Sequence, residues 1–285
     1  MSIELQNVTY TYNAGTVFAK TAIDDVSLTI SPGEFVGLIG HTGSGKSTLI
    51  QHLNALLTPT AGRVLLGGED INADKSKLRA VRQRVGLVFQ YPEHQLFEVS
   101  VYKEVAFGLK LMQTPHMEAD SRIRDALSAV GLSEDYYEKS PFELSGGEMR
   151  RVAIAGVLAM NPSVLILDEP TAGLDPRGRD KILSQIKYMR ELLGITVILV
   201  SHSMEDIAKL AERIIVMHNG KIALNGTVSE VFSQADKLAE CNLTVPQSTI
   251  LMKELAANGW DISTDVYTTS AARDTITAAV KGDEK

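Results

Sequence analysis

The stretch GHTGSGKST constrains the fold more than any other part of the sequence. It fits the pattern G-x-x-x-x-G-K-[ST], which acts as a phosphate-binding turn between a strand and a helix. An apolar run at residues 35–39 precedes it, and apolar residues at helical spacing follow it over residues 49–57. Backbone N–H groups of such a turn surround phosphates, Lys46 reaches the β and γ oxygens, and the Ser47 hydroxyl reaches Mg²⁺. The predicted phosphate-contacting residues are Gly40, His41, Thr42, Gly43, Ser44, Gly45, Lys46, Ser47 and Thr48.

The wider pattern predicts an α/β fold, because short runs rich in Val, Ile and Leu alternate with longer amphipathic segments. Such runs are typical of a mostly parallel sheet that is covered by helices. Each run ends in Gly, Gln, Asp or Ser-His, and ligands bind at this carboxyl edge in open α/β sheets. The predicted core strands are residues 35–39, 85–89, 164–167 and 196–200.

Two segments predict structure beside the core sheet. Residues 3–30 alternate as strands that are broken by a loop at residues 13–16, and we expect an antiparallel edge sheet there. Residues 91–160 show no strand pattern, whereas residues 119–130 have a helical pattern that a glycine ends. Another helix is predicted after Ser145. We therefore expect a helical subdomain at about residues 91–160.

The end of the chain predicts a hairpin and a group of helices. Asn219-Gly220 is a hairpin turn signal, and Thr227 with Glu230 forms a capping-box pattern at a helix start. No chemical motif follows. We predict a main domain over residues 1–226 and a small helical extension over residues 227–285, with helices near residues 248–258 and 271–280.

The stretch VLILDEP predicts a metal and water site at the edge of the sheet. An acidic pair after a strand is usually only a solvated strand end, but the phosphate loop favours a functional interpretation. We expect Asp168 to hold Mg²⁺ and hypothesise that Glu169 polarises the attacking water. Gln90 and His202 end neighbouring strands, and although such residues are more often structural, their location favours function. Gln90 is predicted to contact Mg²⁺ and water, His202 the γ-phosphate, and Lys46 to neutralise charge during catalysis.

A second stretch, LSGGEMRR, has the features of another anion-binding helix start. Unpaired N–H groups at a helix N-terminus carry partial positive charge, and glycines permit close approach of a ligand. The alternative is a helix that Ser145 caps for stability alone, but a capping Ser requires no double glycine behind it. The predicted ligand-contacting residues are Ser145, Gly146 and Gly147.

Charge and composition exclude several classes of function. The formal net charge of −7 argues against general affinity for nucleic acid or anionic lipid, and the basic run at residues 75–84 is interpreted as a solvated face. A single cysteine, Cys241, forms no internal disulfide and fits a reducing compartment. No stretch is apolar for long enough to cross a membrane. We expect any membrane association to depend on partner proteins.

The order and spacing of GHTGSGKST, LSGGE, LILDEP, TAGLDP and Ser201-His202 resemble the ATP-binding subunits of ABC transporters, over about residues 3–226. The resemblance implies an ABC-type ATPase that binds ATP and Mg²⁺ in a head-to-tail dimer. In such a dimer, Lys46 of one subunit and Ser145 and Gly147 of the other form each site, and Asp175 lies at the interface. Tyr12 matches the aromatic position that stacks on adenine, with Tyr10 as a competitor or strand packing as an alternative.

A narrower resemblance is to the energy-coupling factor (ECF) transporters, which import vitamins and transition metals into prokaryotic cells. The strings LIGHTGSGKSTLIQHLNALL and VFQYPEHQLFE carry this resemblance. Met-Arg-Arg after LSGGE, the signature stretch, resembles the second of two paired ATPases. The resemblance implies a heterodimer with that other ATPase, a transmembrane coupling subunit bound near residues 90–108, a separate substrate-binding membrane subunit, and a location on the cytoplasmic face of the cell membrane. Glu148 stands where the family usually has Gln.

Other members of the superfamily are alternatives. One is the ATPase of another ABC transporter, which shares every motif. A DNA-associated ABC-type ATPase separates the phosphate loop from the signature by a long coiled coil, but no heptad run lies between Lys46 and Ser145. A general P-loop kinase or GTPase lacks LSGG. The sequence therefore favours a transport ATPase without nucleic acid as a partner.

Overall fold

A computed structural model describes residues 1–282, and in this part of the chain ten strands form two sheets. The strands are β1 (Ile3–Tyr12), β2 (Lys20–Ile30), β3 (Phe35–Ile39), β4 (Ala61–Leu66), β5 (Glu69–Asp70), β6 (Val85–Val88), β7 (Val164–Asp168), β8 (Thr196–Val200), β9 (Arg213–His218) and β10 (Lys221–Thr227). The helices are α1 (Lys46–Leu53), α2 (Leu78–Arg84), α3 (Val101–Leu111), α4 (His116–Ala129), α5 (Gly146–Leu158), α6 (Pro176–Leu193), α7 (Met204–Leu210), α8 (Val228–Phe232), α9 (Ala235–Glu240), α10 (Gln247–Ala257) and α11 (Thr269–Gly282).

The core sheet has the strand order β10-β9-β3-β8-β7-β6, and its strands pair in parallel except for β10 at the edge. All four predicted core strands are present, which confirms the mostly parallel sheet. Side chains of β3 alternate between two core clusters: Phe35 and Ile39 pack on one face, Val36 and Leu38 on the other. Because both faces are covered, the core strands are apolar throughout.

The second sheet is antiparallel and has the order β2-β1-β4-β5. Pairing of β1 with β2 confirms the edge sheet predicted from residues 3–30. Strands β4 and β5 were not predicted, because AGRVLLGGED is interrupted by glycines and lacks clear alternation. Leu5 of β1 lies opposite Val64 of β4, and both are buried. This tertiary contact stabilises β4 as a strand, although the local sequence pattern does not predict one.

The segment between β6 and β7 contains α3, α4 and α5 and no strand, as the sequence indicated. Helix α4 begins at His116, three residues before the predicted start, and α3 was not recognised. Helix α1 ends at Leu53, earlier than its apolar periodicity suggested. The chain leaves the helix at Ala55, which has a positive φ of 56°, so that Leu56 is 42% exposed.

The Asn219-Gly220 turn joins β9 to β10, and Thr227 caps α8 with Glu230 in the predicted capping box. Phe232 and Leu238 from this part of the chain are fully buried in the large core cluster, whereas Met252 belongs to a small separate cluster with residues of α11. The boundary at residue 226 stays a prediction, and residues 283–285 of the predicted extension lie outside the described residues. Within residues 1–282, no helix is both long and apolar enough to span a membrane.

Candidate nucleotide-binding and catalytic site

The phosphate loop connects the carboxyl end of β3 to α1, and close contacts require two of its three glycines. Gly45 precedes the first turn of α1 with a φ of +107°, and a Cβ there would lie 2.6 Å from the carbonyl oxygen of Ala22. A Cβ on Gly40 would lie 2.4 Å from the carbonyl oxygen of Met217. The loop therefore packs directly against β2 and β9, which only a residue without a side chain permits.

Lys46 is the buried cation of the loop, with 7% of its surface exposed. Its Nζ donates hydrogen bonds to the carbonyl oxygens of Gly40, at 2.6 Å, and His41, at 3.1 Å. Burial lowers the pKa of Lys46, and the carboxylates of Glu169 and Asp168 partly offset this effect. The loop carbonyls thus hold the ammonium group beside the acidic pair.

One cavity of about 790 Å³ opens in front of the loop. It brings together most of the predicted site residues, from the loop, the acidic pair and the ends of β6 and β8. The predicted residues that line it are Tyr12, Thr42, Gly43, Gly45, Lys46, Ser47, Thr48, Gln90, Asp168, Glu169 and His202. Gly40, His41 and Ser44 do not line it, and their contact with phosphate stays a prediction.

Five residues of the lining were not predicted from the sequence: Lys20, Thr21, Ala22, Asn219 and Gly220. The Asn-Gly turn was recognisable as a hairpin, but nothing in the sequence indicates that this hairpin supports the phosphate loop. The Gly220 N–H donates to the Ser44 carbonyl at 3.0 Å. Lys20 lies opposite Tyr12 in the β1–β2 pairing.

Tyr12 lies at the mouth of the cavity with 38% of its surface exposed, and its hydroxyl is 3.2 Å from Thr48 Oγ1. Tyr10 packs edge-on against Tyr12 and against His52, each with ring centroids 4.8 Å apart, and does not line the cavity. Tyr12 thus presents an accessible aromatic surface to the cavity, while Tyr10 supports it from behind.

The acidic pair lies at the end of β7. Burial raises the pKa of Asp168, and Lys46 opposes that shift. Burial also raises the pKa of Glu169 to about 7. Glu169 has a positive φ of 50°, a conformation that costs roughly 1–3 kcal/mol and is concentrated at functional sites. Its Oε1 lies 3.4 Å from Nε2 of His202, whose pKa is lowered by burial and by Lys46.

The donors that line this cavity fit Mg²⁺. Ser47, Gln90 and Asp168 present a hydroxyl, an amide carbonyl and a carboxylate from three different elements. Oxygen donors of this kind are what the cation prefers, and it usually retains several waters and also binds substrate phosphates. The donor types in this lining are therefore suited to hold Mg²⁺ together with the phosphates of a nucleotide.

The signature stretch forms the start of α5, and Ser145 is its N-cap. The Ser145 hydroxyl accepts from the Glu148 N–H, and the Glu148 carboxylate accepts from the Ser145 N–H at 2.9 Å and from the Tyr136 hydroxyl at 2.9 Å. Hydrogen bonds from Ser145 lower the pKa of Glu148 to about 2. Gln at position 148 could accept the same backbone bond, so Glu keeps the capping geometry and adds a negative charge.

The two glycines of the signature face open space. A Cβ on Gly146 or Gly147 would meet no atom within 4 Å. Within residues 1–282, no close packing against either position therefore requires a glycine. They line a second cavity of about 350 Å³, together with Ser145, Glu148, Leu174 and Asp175. The two cavities have no lining residue in common.

Arg150 was recognised in the sequence only as part of a subgroup motif, yet its side chain is buried with 1% exposure. Its Nε and Nη2 donate to the Glu93 carboxylate at 3.1 and 2.6 Å. Its Nη1 donates to the carbonyl oxygens of Pro170 and Ala172. Arg150 thereby joins the signature helix to the segment after Gln90 and to the segment after Glu169. No local pattern predicts such a contact between distant parts of the chain.

Comparisons with known proteins agree with this geometry. The family model for the ABC transporter matches residues 23–172. The energy-coupling factor transporter ATP-binding protein EcfA2 of Clostridium tetani is 55% identical over 274 residues, covering 96% of this chain and 95% of the relative. The protein of the same name from Clostridioides difficile is 52% identical over 284 residues, covering 99% of each.

Solved structures show the same fold. CbiO1 of Clostridium perfringens, described as part of the ABC transporter complex cbiONQ, has a TM-score of 0.76 and 38% identity over 88% of this chain and 98% of its own. An ATP-binding cassette in a dimeric, post-hydrolysis state bound to ADP and Pi has a TM-score of 0.70 and 33% identity, covering 79% and 98%. The chain therefore belongs to the ABC transporter family of ATPases and, within it, to the energy-coupling factor transporter ATP-binding proteins.

Proposed function

We propose that this chain binds and hydrolyses Mg²⁺-ATP as one of two ATPase subunits that energise an ECF-type importer for vitamins or other micronutrients. The observation that carries the proposal is the single cavity in which Lys46, Gln90, Asp168, Glu169 and His202 converge on the phosphate loop. An ATPase subunit of a different ABC transporter would contain the same cavity. The names of the relatives favour the ECF assignment.

In this proposal the cavity binds the whole ATP molecule. Tyr12 stacks on adenine, loop N–H groups surround the phosphates, and Lys46 exchanges its bonds to loop carbonyls for bonds to phosphate oxygens. Ser47, Gln90 and Asp168 would hold Mg²⁺, which would neutralise charge on the phosphates.

Hydrolysis requires a water in line with the γ-phosphate. Glu169 polarises this water, and a pKa of about 7 leaves the carboxylate substantially ionised near neutral pH but basic enough to accept a proton. His202, 3.4 Å from Glu169, contacts the γ-phosphate and helps to orient the water. Lys46 stabilises the charge that develops on the transferred group.

The second cavity contributes to a site on another ATPase. Ser145, Gly146 and Gly147 line a cavity that shares no residue with the cavity at this chain's own phosphate loop, and Asp175 lines it beside them. A second ATPase that approaches head-to-tail would place its nucleotide against this helix start. The partner is a related but non-identical ATPase, and ATP stabilises the closed pair because it contacts both chains.

The transmembrane coupling subunit binds the surface that follows Gln90. Phe97, Val99, Phe107 and Leu111 are 57%, 68%, 38% and 55% exposed, an apolar surface that a membrane subunit's helix would cover. A separate substrate-binding membrane subunit selects the cargo. The chain then works at the cytoplasmic face of the membrane through these partners, and its net charge of −7 opposes a role on nucleic acid.

Co-expression with candidate partners tests the proposal. The chain is purified alone, with a second ATPase, and with that ATPase and the membrane subunits in liposomes. We expect ATP hydrolysis to require the second ATPase, vitamin uptake to require the full complex, and Glu169→Gln to abolish both. Hydrolysis at the full rate by the isolated chain, or strong stimulation by DNA without any effect of the membrane subunits, would contradict the proposal.

A further inference from the structure

The C-terminal helices α10 and α11 are joined to the ATP-binding part of the chain at one polar point. The N–H of Gln247, the first residue of α10, donates to Glu205 Oε1 at 3.0 Å. Within residues 1–282, this is the one hydrogen bond that links these two helices to residues 1–226. Glu205 belongs to α7, which begins directly after the segment that contains His202.

The other oxygen of the same carboxylate contacts that segment. The Ser203 hydroxyl donates to Glu205 Oε2 at 3.3 Å and also accepts from the Asp206 N–H at 3.2 Å as the N-cap of α7. Burial alone would raise the pKa of Glu205, but the bonds from Gln247 and Ser203 outweigh it and the pKa is lowered. The ionised carboxylate therefore bridges α10 and the residue next to His202.

The same end of α7 is also fixed to the core. Asp206, whose side chain is 2% exposed, accepts from Arg179 Nε at 2.9 Å and from the Thr171 hydroxyl at 3.1 Å. Thr171 follows Glu169 by two residues. The start of α7, which follows His202, is thus bonded through Asp206 to the segment after Glu169 and through Glu205 to α10.

We propose that Glu205 is a positioning residue through which α10 holds the His202 segment in the geometry for hydrolysis. The inference rests on the proposed role of His202. Since Glu205 does not line the nucleotide cavity, loss of the bridge changes the hydrolytic step and leaves nucleotide binding intact. The C-terminal helices are then a part of the catalytic apparatus and not only a cover for the core.

The bridge can be broken from either side in the full chain, assembled with its partner ATPase and membrane subunits. Glu205→Ala removes the acceptor. Gln247→Pro removes the donor without touching Glu205, and proline is tolerated at the first helical position. Each variant should lower kcat about tenfold with an unchanged KM for ATP and unchanged binding of a fluorescent ATP analogue. Glu205→Gln should restore most of the rate, because the amide oxygen can still accept from the Gln247 N–H.

Glu230→Ala is a matched control. Its carboxylate also accepts a backbone N–H, that of Thr227 at 2.8 Å, but at the start of α8 and away from His202. We expect this variant to keep the wild-type kcat. Equal losses for Glu230→Ala and Glu205→Ala, or wild-type rates for both Glu205→Ala and Gln247→Pro, would overturn the inference.

A His202→Ala variant separates this inference from the proposed function. If His202→Ala lowers hydrolysis but the two bridge variants do not, the positioning role of Glu205 is wrong and the role of His202 stands. If His202→Ala hydrolyses ATP at the wild-type rate, the proposed role of His202 is wrong and the inference fails with it. Thermal midpoints of all variants report whether each chain is folded.

Discussion

Replacing Glu93 by Ala should destabilise the fold far more than the loss of an ordinary surface carboxylate. Glu93 lies in the short turn Pro92–Gln95 after Gln90, and its carboxylate accepts two of the four hydrogen bonds that the buried Arg150 guanidinium donates. The variant leaves a positive charge at 1% exposure with only two carbonyl partners. An unpaired buried charge is one of the few ways in which a single substitution causes a large loss of stability.

The expected magnitude follows from this burial. Removing one partner of a buried ion pair costs about 3–5 kcal/mol, and the lower value applies because Glu93 is 12% exposed and water can replace it. A loss of about 3 kcal/mol lowers the midpoint of thermal unfolding by roughly 6–12 °C for a chain of this size. Adding Arg150→Met to Glu93→Ala should recover part of the loss, because the double variant no longer buries a charge.

The assay is thermal unfolding followed by near-UV circular dichroism, with Glu118→Ala as the control. Glu118 pairs with Arg122 on the surface of α4, where the side chains are 49% and 29% exposed. Such a pair contributes about 0.5 kcal/mol or less, so the control should shift the midpoint by only about 1–2 °C. Similar small shifts for Glu93→Ala and Glu118→Ala would refute the claim that Arg150 depends on Glu93.

The pH dependence of this pair has a defined sign. Burial works to raise the pKa of Glu93, but hydrogen bonds from Arg150 more than compensate, and the pKa is lowered in the folded state. The carboxylate's contribution to stability is therefore present above its unfolded pKa and is lost as the pH falls through the folded value. The stability difference between wild type and Glu93→Ala should narrow in acid.

Three further predictions concern the nucleotide cavity. Glu169→Gln should bind ATP normally but hydrolyse it at least about 100-fold more slowly. A pKa of about 7 for Glu169 predicts a rise of roughly tenfold in wild-type kcat/KM between about pH 6 and pH 8, and this rise should disappear in the variant. A rise that persists in the variant would assign the titration to another group. Gly45→Ala should weaken ATP binding by at least about tenfold, because the new Cβ meets the Ala22 carbonyl. Gly147→Ala is the control and should leave ATP binding unchanged, so equal affinities of the two variants in a binding titration would contradict the prediction. Tyr12→Ala should weaken ATP binding by about tenfold and leave triphosphate binding unchanged, as measured by competition; a larger effect of Tyr10→Ala would reverse the assignment.

The core of the site was predictable because parallel strands have a common carboxyl edge. Gln90, Asp168, Glu169 and His202 each follow an apolar run, and the sheet brings all four to one cavity with Lys46. The local signal at Thr227 was also reliable, since this residue is the helix cap that its spacing to Glu230 indicated, and Ser145 caps the helix that was predicted to follow it. Periodicity and capping are local properties, and the sequence states them directly.

Contacts between distant segments were not predictable in the same way. Asn219 was identified as a turn residue, but its place beside the phosphate loop depends on the pairing of β9 with β3. Arg150 and Glu93 are 57 positions apart, and neither stands in a pattern that indicates an ion pair. Strand β4 was missed because its partner β1 lies about sixty residues away, and β propensity depends on the cross-strand neighbours that such a partner supplies.

The central claim is that each nucleotide lies between the phosphate loop of one ATPase and the signature helix of another. The most direct test is light scattering of the Glu169→Gln chain mixed with the second ATPase, with and without Mg²⁺-ATP. The same measurement is made on a chain that carries both Glu169→Gln and Gly147→Arg. A Cβ at Gly147 meets no atom within 4 Å in residues 1–282, so the variant should fold and bind ATP in its own cavity. We predict ATP-dependent pairing for Glu169→Gln and its loss when Gly147→Arg is added. Unchanged pairing of the Gly147→Arg chain, or no effect of ATP on association, would contradict the claim.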